Sequence, residues 1–552
     1  MSNDSRPRGL WDRLTGADSH QSSLHCWTGS NYDATPWSQV VRDSEHTTAG
    51  LRRLGVRPGT RVAAVLTNGP HVVRGLLGVW LAGGAMASLP APARGMDVNE
   101  YAAQLLAICD QLDPVVVLID APTLAGIPHT LQSRLRFRTW ESVIGSGRIA
   151  PEPPDDDALA FIQYSSGSTG FPKGCMLTPS AIAAQIDIIA AMIDPRAGRD
   201  VAVTWMPLSH DMGLFGTLLT TWCSDIEYFM STPQRFVTAP GGWFSELAQF
   251  GGTLSAGTNT SLYLAARSAA RSSRMPRDGL SKIRNCIIGA ERIDWATLTY
   301  ATDSLKKFGL RPEAFMPAYG LAEATLAVTA LPSDERPRRL IVDAGSLGAR
   351  QLCEAAADDP LAVSIVSTGP PCVGVSLPGA RADAVTEVAV RSPSLASGYW
   401  ADPLATERKF RDGTVRTGDL GFVRDNELYL VGRADDVLSI AGRKVYAHEV
   451  ENSIERVEGL RRGCSTLISR TEGAAQRISL FLEPRCAAED YRRIAEAAAS
   501  AAMAKAAVAI DECVILDRGA LPKTPSGKIQ RHRCQLLFET GQLEPLATVR
   551  FT

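Results

Sequence analysis

Residues 164–174 read Tyr164-Ser-Ser-Gly-Ser-Thr-Gly-Phe-Pro-Lys-Gly174. They follow directly on the strand-like run Ala158–Gln163. Gly167, Gly170 and Gly174 let the backbone turn so that successive N–H groups converge on one point, which makes an anion nest. The hydroxyls of Ser165, Ser166, Ser168 and Thr169 add donors around the nest, and Lys173 adds a mobile positive charge. Such a loop suits the phosphates of a nucleotide. Lys173 follows Pro172 and precedes Gly174, so the loop is not the GxxxxGK[ST] loop of the common NTPases. Taken alone, the stretch reads equally well as a Gly/Ser surface linker.

On the N-terminal side of the loop, helix-like and strand-like segments alternate. Ser38–Leu54 and Val72–Ala82 have helical spacing, whereas Arg61–Leu66 and Val115–Ile119 are aliphatic strands. Gly75–Ala87 reads as a buried helix running into a turn. Apolar runs separated by helices predict parallel α/β layers. The polar, Pro-rich stretch 151–157 connects them to the loop, and the alternation continues from Thr204 to Ala330. Residues 333–365 are charged and irregular, and short strands such as Glu387–Val390 follow. Beyond Gly432-Arg433 the chain has strands of its own, Ile478–Leu482 and Val508–Ile515, and an Ala-rich helix, Ala487–Ala507. The expectation is an α/β protein with a large N-terminal domain of layered subdomains, 1–433, and a small mobile α+β domain, 434–552.

A chain of 552 residues is too long for one core. Its 21% charged and 45% apolar residues are ordinary for a globular protein. The net charge of −2 and the lack of a Lys/Arg block argue against nucleic acid as a partner. Eleven scattered cysteines without a CxxC pair read as reduced thiols, and eight histidines without HExxH give no zinc site. No stretch has the length of a membrane span, so a cytoplasmic location is expected.

Further motifs stand in a fixed order. They are Trp205-Met-Pro-Leu-Ser-His-Asp-Met-Gly-Leu214, Gly289-Ala-Glu291, Tyr319-Gly-Leu-Ala-Glu-Ala-Thr325, Arg416-Thr-Gly-Asp419, Gly432-Arg-Ala-Asp-Asp436 and Pro522-Lys-Thr-Pro-Ser-Gly-Lys-Ile-Gln-Arg531. Their order and spacing resemble the adenylate-forming enzymes: acyl-CoA synthetases, peptide adenylation domains and luciferases. HDMGL, YGLAEAT and the insertion at 333–365 most resemble the fatty acyl-AMP ligases. The resemblance implies an ATP- and Mg²⁺-dependent ligase that converts a carboxylic acid to acyl-AMP and releases pyrophosphate. The acyl group then passes to the pantetheine thiol of an acyl carrier protein or of CoA.

The resemblance also implies roles. Ser165, Ser166, Gly167, Ser168, Thr169, Gly170 and Lys173 would hold the pyrophosphate portion. Glu323, with Thr169, would hold Mg²⁺, because hard oxygen ligands suit that ion. Gly289, Ala290, Glu291, Tyr319 and Gly320 would flank adenine. Asp419, supported by Arg433, would bind the ribose hydroxyls. Lys528 would bridge acyl and phosphate oxygens during adenylation, and His210 would stand between the phosphates and the acyl pocket. Asp435 would be the hinge about which the small domain rotates, exchanging Lys528 for the loop around Gly442-Arg-Lys-Val-Tyr446.

The chain departs from the acyl-AMP ligase pattern at Ile288, Thr386, Ala447 and the segment Gly257–Tyr263. A plain long-chain fatty acid and a bulkier or more polar acid both remain open. A second reading is an enzyme that keeps one half-reaction, such as thioesterification of preformed acyl-AMP with CoA. A third is a non-catalytic nucleotide-binding protein, against which Lys173, Glu323, Asp419 and Lys528 count.

Overall fold

A computed structural model describes residues 9–90, 98–147, 149–164, 172–271, 275–359, 362–440, 443–455, 457–472, 475–506, 508–523 and 529–551. Two mainly parallel sheets form the base of the large domain. In the first, Phe137–Thr139, Val116–Ile119, Arg61–Ala64, Ala85–Ser88 and Phe161–Tyr164 run parallel in that spatial order, and Gly174–Leu177 closes the edge antiparallel. In the second, Phe315–Gly320, Asn285–Ile288, Leu254–Gly257, Val201–Thr204, Glu227–Met230 and Ser23–Trp27 are parallel neighbours between two antiparallel edge strands. Their inner strands are buried on both faces because helices cover them. This is why they read as solid apolar runs such as Val116–Ile119.

A third, antiparallel sheet of Thr386–Val390, Phe410–Arg411, Thr414–Arg424 and Glu427–Arg433 leads to the small domain. There, Leu460–Glu472, Ala475–Pro484, Glu512–Ile515 and Ala547–Arg550 form a mixed sheet. The helices Ala447–Ile454 and Tyr491–Ala506 bury Val450, Ile454, Ile494 and Ala498 against it. Packing of such apolar faces supplies most of a helix's stability in a folded protein.

The predicted helices at 38–54 and 72–82 are found as Trp37–Arg53 and Pro70–Leu81. Five expectations need correction. The strand before the glycine loop is Phe161–Tyr164, three residues later than predicted, because Ala158 closes a turn on Asp155. The segment 75–87 holds a second element: after the turn at Gly83 (φ +85°) the chain enters the strand Ala85–Ser88. The C-terminal strand is Glu512–Ile515, and the Ala-rich helix begins at Tyr491 after a 3₁₀ turn. The charged insertion is ordered, since Arg339–Asp343 pairs antiparallel with Ala362–Val366. Its Val342, Leu347 and Ile365 form one core with Leu420, Phe422, Tyr429 and Val431, and Tyr446 of the small domain is buried among them.

All eleven cysteines are unpaired. Among the described residues no helix is long and apolar enough to cross a membrane.

Candidate active site

In parallel α/β sheets, ligands bind beyond the carboxyl ends of the strands. Here the loops that follow Val201–Thr204, Asn285–Ile288 and Phe315–Gly320, together with Tyr164 and Lys173 flanking the glycine loop, surround one cleft of about 720 Å³. Lys173, His210, Gly289, Ala290, Tyr319, Gly320, Glu323, Asp419, Arg433 and Asp435 all line it. The motifs, scattered over nearly half the sequence, therefore converge. Ser165, Ser166, Gly167, Ser168, Thr169, Gly170 and Lys528 lie outside the described residues.

Asp419 and Arg433 face each other as register partners on antiparallel strands, and Arg433 Nη1 donates to Asp419 Oδ1 at 3.3 Å. Tyr319 Oη donates to the other oxygen, Oδ2, at 2.6 Å. Two of the carboxylate's roughly four lone-pair sites are thus taken, and the others remain for hydroxyl donors of a ligand. Burial and then the charge of Asp419 push the Tyr319 phenol well above its ordinary pKa, so it stays a donor. Burial opposes the charge on Arg433, yet Asp419, Asp435 and Asp436 hold it above its ordinary value.

The backbone around this pair is fitted closely. A Cβ on Gly320 would lie 2.0 Å from the Leu326 carbonyl oxygen, so no larger residue fits there. Ala290 (φ +65°) and Thr325 (φ +64°) hold positive φ without being glycine, and for β-branched Thr325 this is a strained conformation. Thr325 is fully buried and is held by a 2.6 Å bond from its Oγ1 to the Ser394 carbonyl. That bond fixes the turn carrying Glu323.

Glu323 Oε1 accepts a 2.6 Å hydrogen bond from Tyr399 Oη, and Lys173 Nζ lies 5.1 Å from the centre of the Tyr399 ring. Burial and Glu323 push the Tyr399 phenol up, so it too remains a donor. Among the described residues no cluster of three or more His, Cys, Asp or Glu could cage a metal. A single cleft-facing carboxylate nevertheless fits Mg²⁺, which keeps several waters and is commonly bound by one or two carboxylates plus substrate phosphates. His210 Nδ1 stands 2.6 Å from Asp211 Oδ1. Burial disfavours its charged form, but Asp211 outweighs burial and raises its pKa.

Beside His210 begins a run of rare geometry: Met212–Leu219 is a π-helix. Its Gly213 packs where a Cβ would lie 2.1 Å from the Pro207 carbonyl oxygen. Gly216, Met212, Ile189, Met192, Ile287 and Leu326 form the apolar end of the cleft.

Glu291 stands apart from its motif partners. Its carboxylate accepts from the Thr260 N–H, and it lines an adjoining cavity of about 550 Å³ between the large and small domains. The described residues on either side of Lys528 are held together. Lys523 and Ile529 form a β-bridge, Gln530 N–H donates to the Pro522 carbonyl, and Lys523 Nζ bonds the Gly463 carbonyl and Cys464. Arg531, at the other end, is paired with Asp436 and Glu451.

Sequence reasoning did not single out Tyr399, Lys409 or Glu387 as cleft residues. Glu387 Oε1 accepts from the Gly418 N–H at 3.0 Å and fixes the turn that presents Asp419. Lys409 Nζ lies against that turn at Gly418. The Gly398-Tyr399 pair, with Gly398 at φ +144°, was the available signal for Tyr399.

The family model for AMP-binding enzymes matches residues 20–400. The long-chain-fatty-acid–AMP ligase FadD32 of Mycolicibacterium smegmatis is 28% identical over 571 residues, covering 92% of this chain and 89% of its own. The medium-chain-fatty-acid–[acyl-carrier-protein] ligase JamA of Moorena producens is 29% identical over 518 residues, covering 88% and 86%. A solved structure from work on the fatty acyl-adenylate ligases of E. coli and L. pneumophila superposes with a TM-score of 0.89 at 24% identity, over 98% of this chain and 99% of that one. That likeness shows the shared fold of a large and a smaller domain. The chain belongs to the AMP-binding enzyme family, and it is an adenylate-forming ligase similar to fatty acyl-AMP ligases.

Proposed function

We propose that this chain activates a fatty or related carboxylic acid with ATP and Mg²⁺, releases pyrophosphate, and passes the acyl group to the phosphopantetheine thiol of an acyl carrier protein. The supporting observation is the convergence of Lys173, His210, Glu323, Tyr319, Asp419 and Arg433 on one cleft with an apolar end. Two anions must meet there, so positioning and charge neutralisation dominate the barrier.

Asp419, fixed by Tyr319 and Arg433, accepts both ribose hydroxyls, and the backbone of Gly289 and Ala290 and the Tyr319 ring flank adenine. Ser165, Ser166, Gly167, Ser168, Thr169, Gly170 and Lys173 hold the departing pyrophosphate. Glu323 and Thr169 would hold Mg²⁺, which would neutralise phosphate charge there. His210, held toward its charged form by Asp211, faces the reacting carboxylate and phosphate oxygens. The carboxylate attacks the α-phosphorus, the bond to pyrophosphate breaks, and Lys528 stabilises the charge on the bridging oxygens.

The division at 433/434 and the hinge at Asp435 belong to this reading. The 3₁₀ turn Ala434–Asp436 between the last large-domain strand and the next hairpin supports them. The name of JamA supports a carrier protein over CoA as acceptor. We place the enzyme in the cytoplasm, with its ATP and carrier protein.

The test is pyrophosphate release over a panel of acids, followed by mass spectrometry of the product with a holo-carrier protein and with CoA. Lys528→Ala is expected to abolish most release. Full activity in that variant, or an acid-independent release in the parent, refutes the reading.

A further inference from the structure

The helix Arg531–Glu539 begins three positions after Lys528 in sequence, and its residue Arg533 pairs with the large domain. Arg533 Nη2 donates to Glu100 Oε2, a partner 433 positions away in sequence. Arg533 is largely buried, with 19% of its side chain exposed, while Glu100 is 45% exposed. Glu100 stands in the first turn of the helix Val98–Leu112. Its neighbour Tyr101 is buried, and the Tyr101 hydroxyl donates to the Pro90 carbonyl at 3.1 Å. Pro90 in turn forms part of the wall of the nucleotide cleft. Two residues before Arg533, Arg531 is tied to Asp436 and Glu451 within the small domain. One end of this short segment is therefore anchored beside the hinge turn, and the other is paired with the helix whose Tyr101 bonds the cleft-lining Pro90.

We propose that Arg533 and Glu100 form a positioning pair that holds the small domain in the orientation used for adenylation. The inference rests on the function proposed above. Lys528 and Arg533 are five positions apart, so the pair fixes where the base of the lysine loop stands relative to the cleft. The two partners belong to different domains, so rotation about Asp435 must separate them. The pair acts on one half-reaction and is broken in the other. A partly exposed ion pair is suited to this task, because it stabilises one orientation only a few-fold and does not trap it.

Full-length Glu100→Gln and Arg533→Gln should each lower kcat for acid-dependent pyrophosphate release about two- to five-fold, the range of a partly exposed ion pair. KM for ATP and for the acid should be unchanged. Thioester formation from synthetic acyl-AMP and a holo-carrier protein, without ATP, should be unchanged or faster. The charge-swapped chain carrying Glu100→Arg and Arg533→Glu should recover adenylation. Equal losses in both half-reactions, or no loss in the first, would overturn the proposal, as would a swap that fails to recover.

A readout independent of turnover is cross-linking of the Glu100→Cys/Arg533→Cys chain with a short bis-maleimide, mapped by peptide mass spectrometry. Formation of the link supports the pair, and its absence opposes it. If the parent chain releases no pyrophosphate with any acid, the functional reading fails, and cross-linking still decides whether the two helices meet.

Discussion

Gly216 sets the depth of the apolar end of the cleft, and replacing it tests whether that end receives the acyl chain. A Cβ built there would lie 2.9 Å from Leu326 Cδ2 and 3.6 Å from Met212 Cγ. The nearer atom is the tip of a flexible side chain, so Gly216→Ala should be accommodated by a small movement of Leu326. Gly216→Val adds two further methyls at a position that lines the cleft, more bulk than a small movement of Leu326 absorbs, and part of it is expected to enter the acyl end. The isopropyl group would displace about three methylenes of a bound chain. At about 0.8 kcal/mol for each buried methylene, the loss is about 2.4 kcal/mol, or roughly 60-fold in kcat/KM for the longest acid accepted. Acids too short to reach Gly216 should be turned over as before. The assay is pyrophosphate release by both variants with straight-chain acids from butanoate to palmitate, and the expected result is an optimum shifted to shorter chains by about three carbons. A uniform fall for short and long acids alike would mean that the valine disturbs the π-helix and His210, and that the acyl chain lies elsewhere.

Other perturbations separate the remaining parts of the site. Tyr319→Phe removes the donor to Asp419 Oδ2, a bond to a charged group worth about 1.5 kcal/mol or more, so KM for ATP should rise at least about ten-fold with little change in kcat; a fall in kcat at constant KM would contradict the ribose assignment. Tyr399→Phe frees Glu323 Oε1 and should raise the Mg²⁺ concentration needed for half-maximal rate while sparing the rate at saturation, as a Mg²⁺ titration would read. Burial pushes the Glu449 carboxyl up to about 7 from its ordinary 4.5, with Arg292 opposing and Asp343 reinforcing the shift. The folded-state pKa is the higher one, so this contribution to stability is complete below about pH 4.5 and is lost as pH rises through about 7. Glu449→Gln should therefore melt higher than the parent above that range and equal to it at low pH, and an unchanged difference across the range would contradict the burial of this carboxyl.

The parts of the site that the sequence disclosed are those in which one local segment must present several groups at once. The turn carrying Asp419 and the Tyr319–Thr325 stretch are of this kind, and each has a composition that backbone geometry demands. Gly320 is required because Leu326 O would otherwise be struck, and that demand is visible as a motif. Beyond its neighbour Gly398, Tyr399 carried no sign of its role, because its partners, Glu323 and Lys173, lie far away in sequence and meet it only through tertiary packing. The order of the insertion was hidden by its charges, because its core residues Val342, Leu347 and Ile365 are spaced too irregularly to mark strands and pack with a distant hairpin. The strand ends shifted for a simpler reason. Ala158 closes an exposed turn on Asp155 and Val508 is buried outside any strand, and apolarity alone does not distinguish either from a strand residue.

The π-helix at Met212–Leu219 also bears on how this pocket can change. A π-turn holds one residue more than an α-turn, so the segment is equivalent to a helix that has gained residues without lengthening. Removing a single residue from it would return the backbone toward α-geometry and turn Gly216 away from the cleft, with the helix Thr220–Cys223 re-registered behind it. The depth of the acyl end is therefore open to insertions and deletions as well as substitutions. A relative with a gap at this place is expected to differ in the length of acid it accepts, while its nucleotide chemistry stays the same.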